Sequence, residues 1–280
     1  MKPISVNELT ESVNSNLPRE IKSTIAKNIL AEEKNPESAR EIFYRLINDL
    51  TTKAQKEVVN ATGTVLHTNL GRSPNNISFP GRYTNIEYDL TNLVRGNRNE
   101  YLSLLMNDLI GSQDIAFVNN NASSLYLSLK AISKSHNIRN VIISRGEIIE
   151  IGGSYRLPEI ISETDLSLIE IGTTNKTKLS DYTKALESYP DSLILKVHRS
   201  NFSIDGFTED VSIAELSELK NNFDVLLLHD LGSGLVVDKK FLEINNVSIF
   251  KNEPFVQDSL SEGADLVMFS GDKLFGSVQS

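Results

Sequence analysis

The chain has 280 residues, 39% of them hydrophobic and 23% charged, a balance that excludes disorder and fibrous architectures and allows a substantial buried core. Its net charge of −9 excludes the broad basic face of a general DNA-binding protein, and the absence of cysteine excludes disulfides, thiolate metal sites and a cysteine nucleophile. No apolar run reaches the ~18–20 residues of a membrane span, and Met1 to Thr10 has no signal-peptide pattern, so a cytoplasmic protein without a membrane partner is expected.

In chain order, residues 17–55 predict two helices. Ile21, Ile25 and Ile29 recur every four positions, and Ile42, Phe43, Leu46, Ile47 and Leu50 form a wide apolar stripe. Ser38 with Glu41, just after Pro36, fits a capping box for the second helix. No strand signal occurs up to Lys56, which places a boundary between a short helical N-terminal element, 1–56, and a larger domain, 57–280.

From Glu57 onward, short aliphatic runs alternate with helical stretches. Ile115–Val118, Val141–Ser144, Ser167–Ile171, Leu193–Val197, Val225–Leu228 and Leu266–Phe269 are continuous apolar runs, the pattern of parallel strands covered on both faces. Leu102, Leu105, Met106 and Leu109 mark a helix stopped by Gly111, residues 122–134 mark another, and Ser212 with Glu215 opens a third. The pattern predicts an α/β domain with a mostly parallel sheet, helices on both faces and a ligand at the carboxyl ends of the strands.

Three strand ends carry residues with chemical potential. Phe117 to Ser124 runs from an apolar stretch through Asn119, Asn120 and Asn121 into a helix, where free N–H groups and small side chains suit an anion; an ordinary N-cap reads the same way. Leu226 to Gly234 ends in Asp230 and a glycine-rich turn, suited either to holding a proton on a pyridine nitrogen or to capping the turn. Leu266 to Lys273 runs through Ser270 into a lysine that burial would make nucleophilic, or that is a surface residue. The four histidines, His67, His136, His198 and His229, have no metal-ligand spacing, and no metal is expected.

Taken together, the motifs Asn60 to Arg72, Ser144-Arg145-Gly146-Glu147, Glu150 to Ser154, Gly172-Thr173-Thr174-Asn175, Lys196-Val197-His198, Asp230 to Gly234 and Ser270 to Leu274 resemble those of the bacterial selenocysteine synthase family. The likeness spans roughly residues 58–276. It implies the large domain of a fold-type I enzyme dependent on pyridoxal 5′-phosphate. Lys273 would hold the cofactor covalently, Asp230 would pair with its ring nitrogen, and Asn120, Asn121, Ala122, Ser123 and Ser270 would cradle its phosphate, with His198 nearby. Arg72 and Arg95 are candidates for an anionic selenium donor or the tRNA end. The implied reaction converts L-seryl-tRNA(Sec) to selenocysteyl-tRNA(Sec) with selenophosphate, by β-elimination to a dehydroalanyl intermediate and addition of selenium. The implied assembly is a homo-oligomer of dimers, and the helical element would be a reduced tRNA-binding domain.

Departures from the family pattern are visible too. His229 stands where an acidic residue is expected, and Gly276-Ser277-Val278-Gln279 stands for Gly-Gly-Pro-Gln. The sequence stops at Ser280, so the C-terminal small domain is expected to be absent and the chain alone to be inactive. Two alternatives therefore stand beside the first reading: a related eliminase acting on a phosphorylated amino-sugar acid, and a non-catalytic remnant or partner subunit.

Overall fold

The computed structural model describes residues 3–75, 77–78, 81–151, 155–237, 239–245, 250 and 252–280, so Gly152, Gly153 and Ser154 of one motif lie outside the described residues. The chain divides into two compact units, Met1–Ala61 and Thr62–Ser280. Among the described residues no helix is long and apolar enough to cross a membrane.

The first unit holds three helices, α1 (Val6–Glu11), α2 (Arg19–Glu32) and α3 (Pro36–Lys53), one more than the periodicity predicts. α1 is short but well started: Ser5 Oγ accepts from Glu8 N and the Glu8 carboxylate accepts from Ser5 N. The start of α3 corrects the expected Ser38/Glu41 box. Asn35 is the cap, its Oδ1 accepting from the N–H groups of Glu37 and Ser38, while Pro36 takes the first helical position, where its missing N–H costs nothing. Ser38 lies inside the first turn and donates its hydroxyl to Glu33. Leu9, Ala26, Ile29, Ala39, Phe43 and Ile47 close this unit's own small core.

The second unit opens with an antiparallel ribbon, β1 (Tyr88–Asp89) and β2 (Val94–Arg95), followed by α4 (Glu100–Ile110). Gly111 ends α4 at φ +72°, a left-handed position that glycine adopts without steric cost. Then come α5 (Asn121–Ser135), β3 (Asn140–Ser144), the two-residue strands β4 (Glu150–Ile151) and β5 (Tyr155–Arg156), α6 (Leu157–Ser162), β6 (Ser167–Ile171), α7 (Leu179–Ser188) and β7 (Ser192–Val197). The remainder is α8 (Ile213–Glu218), β8 (Leu227–Gly232), α9 (Lys239–Ile244), α10 (Val256–Ser261) and β9 (Leu266–Phe269). As expected, Ser212 caps α8 and exchanges bonds with Glu215.

Five strands form one sheet in the order β6-β3-β7-β8-β9, every pair parallel. The period-two alternation divides their side chains between two cores. Val141, Ile143, Leu193, Leu195 and Leu228 pack with Leu125 and Leu129 of α5 and Ile160 and Ile161 of α6 on one face. Ile142, Ile194 and Leu227 pack with Tyr182 and Leu186 of α7 and Ile213 and Leu216 of α8 on the other. Burial on both faces is why these strands read as unbroken apolar runs.

Two strand expectations need correction. Ile115–Val118 is irregular, and Ile115 packs beside Met106 and Ile110 of α4 instead of joining the sheet. β8 begins at Leu227, two residues later than expected, and continues through His229 and Asp230, because the parallel ladder with β7 pairs Lys196 with His229 and Val197 with Asp230. The strand thus carries polar residues into the interior at its carboxyl end.

Candidate functional site

The alternation along β8 sends its two polar residues to opposite faces. His229 belongs to the α7/α8 face with Leu227 and its Nδ1 meets Ser259 Oγ of α10 at 3.0 Å. Burial holds its imidazole down, at a pKa of about 3, with Lys196 and His198 adding to the effect, so it stays neutral across the physiological range. Asp230 turns toward α5 and is 4% exposed. Its Oδ1 accepts from Asn121 Nδ2 at 2.6 Å and from Gly232 N at 3.1 Å. Burial pushes its carboxyl up, and these two bonds oppose the shift. Both bonds land on one oxygen, which leaves Oδ2 for a further donor.

Beyond Asp230 the ladder with β9 breaks register, and the chain turns at Gly232 (φ +66°) and Gly234 (φ +70°). A Cβ on Gly234 would stand 2.3 Å from the Phe269 ring, so only glycine lets this turn lie against the end of β9. Two backbone bonds lock the two turns together: Ser270 N donates to Gly232 O and Leu274 N to Ser233 O, both at 3.1 Å. Ser270 is buried and Lys273 half-buried. Burial lowers the pKa of the Lys273 ammonium and the Arg72 cation lowers it further, against opposition from Asp230, Asp272 and Glu253. A lysine so placed loses its proton more readily than a free one.

The neighbouring segments complete the ring. Asn120 caps α5, its Oδ1 accepting from Ser123 N at 2.8 Å. The side chain of Asn121 is committed to Asp230, and its own Oδ1 is buried with no hydrogen-bond partner among the described residues. An open groove of about 480 Å³ runs beside this helix start, lined by Phe117, Val118, Asn119, Asn120 and Gln279. From β7, His198 N donates to Asp230 O at 2.8 Å and His198 Nε2 lies 3.3 Å from Glu253 Oε2. Glu253 also accepts from Ser233 Oγ at 2.7 Å. Burial raises its carboxyl, but the His198 and Ser233 bonds outweigh it and hold the group below the usual range.

The candidates thus divide. Asn120, Asn121, Ala122, Ser123, His198, Asp230, Ser270 and Lys273 gather where α5 starts and β7, β8 and β9 end. Arg72 joins them through an ion pair with Asp272, Nη1 to Oδ2 at 2.8 Å. Arg95 does not; it sits on the exposed ribbon with its guanidinium 3.9 Å from Glu87. Glu253 and Asp272 are parts of the cluster that the sequence did not single out. Nothing local marks Glu253, whereas Asp272 is inside a quoted motif beside Lys273.

A second polar cluster lies at the ends of β3 and β7. Glu147 is 0% exposed and Lys196 8% exposed. Lys196 Nζ donates to Glu147 Oε1 and to Asp210 Oδ1, each at 2.5 Å, and Arg199 Nη2 reaches Asp210 Oδ2 at 3.2 Å. Glu147 Oε2 accepts from Val197 N at 3.0 Å, so this carboxylate fixes the backbone one residue before His198. Burial raises Glu147 despite the lysine, while for Lys196 the two carboxylates overcome the lowering that burial imposes.

The family model SelA, L-seryl-tRNA selenium transferase, matches residues 58–280. The L-seryl-tRNA(Sec) selenium transferase of Moorella thermoacetica is 44% identical over 250 residues, covering 86% of this chain and 51% of that protein. Those of Campylobacter fetus subsp. fetus (strain 82-40) and Sulfurimonas denitrificans are 39% and 36% identical, covering 93% and 97% of this chain and 59% and 60% of theirs. The chain therefore spans about half to three-fifths of the curated relatives it matches. Among solved structures, D-glucosaminate-6-phosphate ammonia-lyase aligns at 15% identity over 64% of this chain and 46% of its own, with a TM-score of 0.49.

Proposed function

Given that the chain belongs to the L-seryl-tRNA selenium transferase family, a family of fold-type I enzymes dependent on pyridoxal phosphate, we propose that it carries the cofactor-binding half of the conversion of seryl-tRNA(Sec) to selenocysteyl-tRNA(Sec) with selenophosphate. The observation that carries this reading is Asp230, a buried carboxylate with one oxygen fully engaged and the other free, set in a cluster that contains a lysine whose proton is loosened.

The residues present fit pyridoxal phosphate. Asp230 Oδ2 is an acceptor for a protonated ring nitrogen, the unpartnered Asn121 Oδ1 is a buried acceptor beside it, and the start of the 15-residue α5 offers N–H groups to a phosphate. When bound, the cofactor supplies an electron sink that labilises the bonds around the amino-bearing carbon of an amino acid. Lys273 would hold it through Nζ, and as a free amine would be able to carry a proton to or from the substrate. Asp230 keeps a proton at the ring nitrogen. Ser270 and the Asn120 to Ser123 turn would hold the phosphate, and His198, steadied by Glu253, would lie at the cofactor site. Arg72 would direct its remaining N–H groups to an anion such as selenophosphate, and Arg95, exposed on the ribbon, to an anionic donor or the tRNA end.

The helical N-terminal element, 1–56, is proposed to contact the tRNA. Self-association, proposed as an assembly of dimers, is supported to the extent that the second unit leaves apolar side chains exposed between residues 65 and 109, among them Val65 at 81% and Tyr101 at 71%. A cytoplasmic location goes with a tRNA substrate. The test is reconstitution of the purified chain with pyridoxal phosphate, borohydride reduction and peptide mapping, followed by selenium transfer from selenophosphate to seryl-tRNA. Label on Lys273 is expected. Cofactor bound without label on Lys273, or label on another lysine, overturns the assignment.

A further inference from the structure

We propose that Asp272 is a positioning residue for the Lys273 amine, acting through Arg72: it clamps the Arg72 guanidinium beside the lysine. Three observations carry this. Asp272 is 6% exposed and holds the Arg72 side chain by Oδ2 to Nη1 at 2.8 Å, while its backbone O accepts from the N–H of the next residue, Ser73, at 3.1 Å. Asn75 Nδ2 adds a third tie to the same turn, donating to Ser277 O at 2.8 Å. Arg72 itself sits at φ +61°, directly after Gly71 at φ +85°. A left-handed arginine is strained, and such strain persists only where the surroundings over-determine it. Here the surroundings are Asp272 and its turn, separated from Arg72 by 200 positions in the chain.

The geometry gives Asp272 two opposed effects on Lys273. Its own negative charge favours the ammonium, while the cation it holds in place favours the free amine. Of the two, Arg72 acts the more strongly. The other charged groups that act on Lys273 are Asp230 on β8 and Glu253 in the loop before α10, the latter paired with His198. If Asp272 acted by its own charge alone, removing it would make the lysine easier to deprotonate. As a clamp, its removal frees Arg72 to leave, and the lysine becomes harder to deprotonate. The sign separates the two.

The significance for catalysis rests on the reading of Lys273 as the cofactor lysine, but the test does not. Cofactor-free chain is labelled with acetic anhydride across a pH series, and acetylation is quantified on the Lys273 peptide by mass spectrometry. Arg72→Met should move the midpoint of the Lys273 curve upward. Asp272→Ala should also move it upward, by less, and the double variant should match Asp272→Ala, because the clamp's loss already removes the arginine. A downward or absent shift in Asp272→Ala, or a double variant that differs from it, overturns the proposal. Should Asp272→Ala not fold, Asp272→Ser is read in the same way. Failure of borohydride to fix the cofactor on Lys273 would refute the cofactor assignment and leave this labelling result standing.

Discussion

Replacing Lys196 by methionine keeps the stem of the side chain and deletes its charge, which leaves Glu147 buried without its cation. Breaking a buried pair by removing one partner costs about 3–5 kcal/mol, because the surviving charge stays in a medium that solvates it poorly. Glu147 qualifies, being 0% exposed and bonded otherwise only to Val197 N. Glu147 sets this cost, because Asp210, the other carboxylate Lys196 serves, is 46% exposed and keeps its pairing with Arg199. The pH dependence has a definite sign. A carboxyl whose folded pKa lies above its unfolded value contributes stability below the unfolded value and loses it as pH rises through the folded one. Without Lys196 the Glu147 carboxyl is pushed higher still, so the deficit should be full at neutral pH and shrink as pH falls toward 4.5. Denaturant unfolding is measured by circular dichroism and tyrosine fluorescence, which is clean because the chain has eight tyrosines and no tryptophan. The double variant Lys196→Met/Glu147→Gln should recover most of the loss, since the amide oxygen still accepts from Val197 N. A deficit below about 1 kcal/mol at neutral pH, or one that does not shrink on acidification, refutes the reasoning.

In an active full-length protein carrying this domain, Asp230→Asn should leave pyridoxal phosphate bound yet slow elimination of the seryl hydroxyl by about a hundredfold, the usual scale for losing one preorganised electrostatic partner; a change within a few-fold in a seryl-tRNA turnover assay removes Asp230 from its role. Gly234→Ala should destabilise the second unit by roughly 1–3 kcal/mol through its left-handed strain and the 2.3 Å contact with Phe269, and should lower cofactor occupancy as β9 is displaced. Unchanged melting and unchanged occupancy would show that the turn yields freely. His229 has a folded pKa depressed from 6.5 to about 3, so its contribution is present above 6.5 and is lost progressively as pH falls toward 3. His229→Gln should therefore flatten the acid limb of the stability profile, and an identical limb in both proteins contradicts the burial argument.

What the sequence made legible was whatever is local in cause. Leu266–Phe269 is a strand at the predicted boundaries because apolar cover leaves an unbroken run, and Ser167–Ile171 keeps its predicted boundaries through Leu168, Ile169 and Ile171 although, as the edge strand, it exposes Ser167 and Glu170. Asp230 and Lys273 stood out because a polar residue directly after or within such a run sits at the carboxyl edge of the sheet. The same signal misled at Ile115–Val118, whose apolar character serves a contact with α4 and not a ladder. It also stopped β8 too early, at Leu228, where His229 and Asp230 interrupt the apolar run while the strand continues to Gly232. Asn35 outranked Ser38 as a cap because Pro36 is preformed for the first helical position, a competition that one motif does not display. The links that make the cluster a site were out of reach: Asn121 to Asp230 spans 109 positions and Arg72 to Asp272 spans 200. No spacing rule records a partner that only the completed fold brings near.

The order of strands across the sheet also sets a timetable. β7, β8 and β9 are added side by side in the order in which they are made, so the lysine follows the last of the five strands to be synthesised. His198 and Asp230 meet when β8 pairs with β7, and Asn121 joins them directly, but Lys273 reaches the cluster only when β9 docks against β8. With Lys273 as the cofactor lysine, a chain in which β9 has not docked lacks the residue that would hold pyridoxal phosphate covalently, whereas one with β9 docked has it. Binding only the docked form, the cofactor then draws the folding equilibrium toward it by mass action. Cofactor supply would govern how much of the newly made protein survives, and cells short of pyridoxal phosphate should accumulate less of the chain as well as less of its activity.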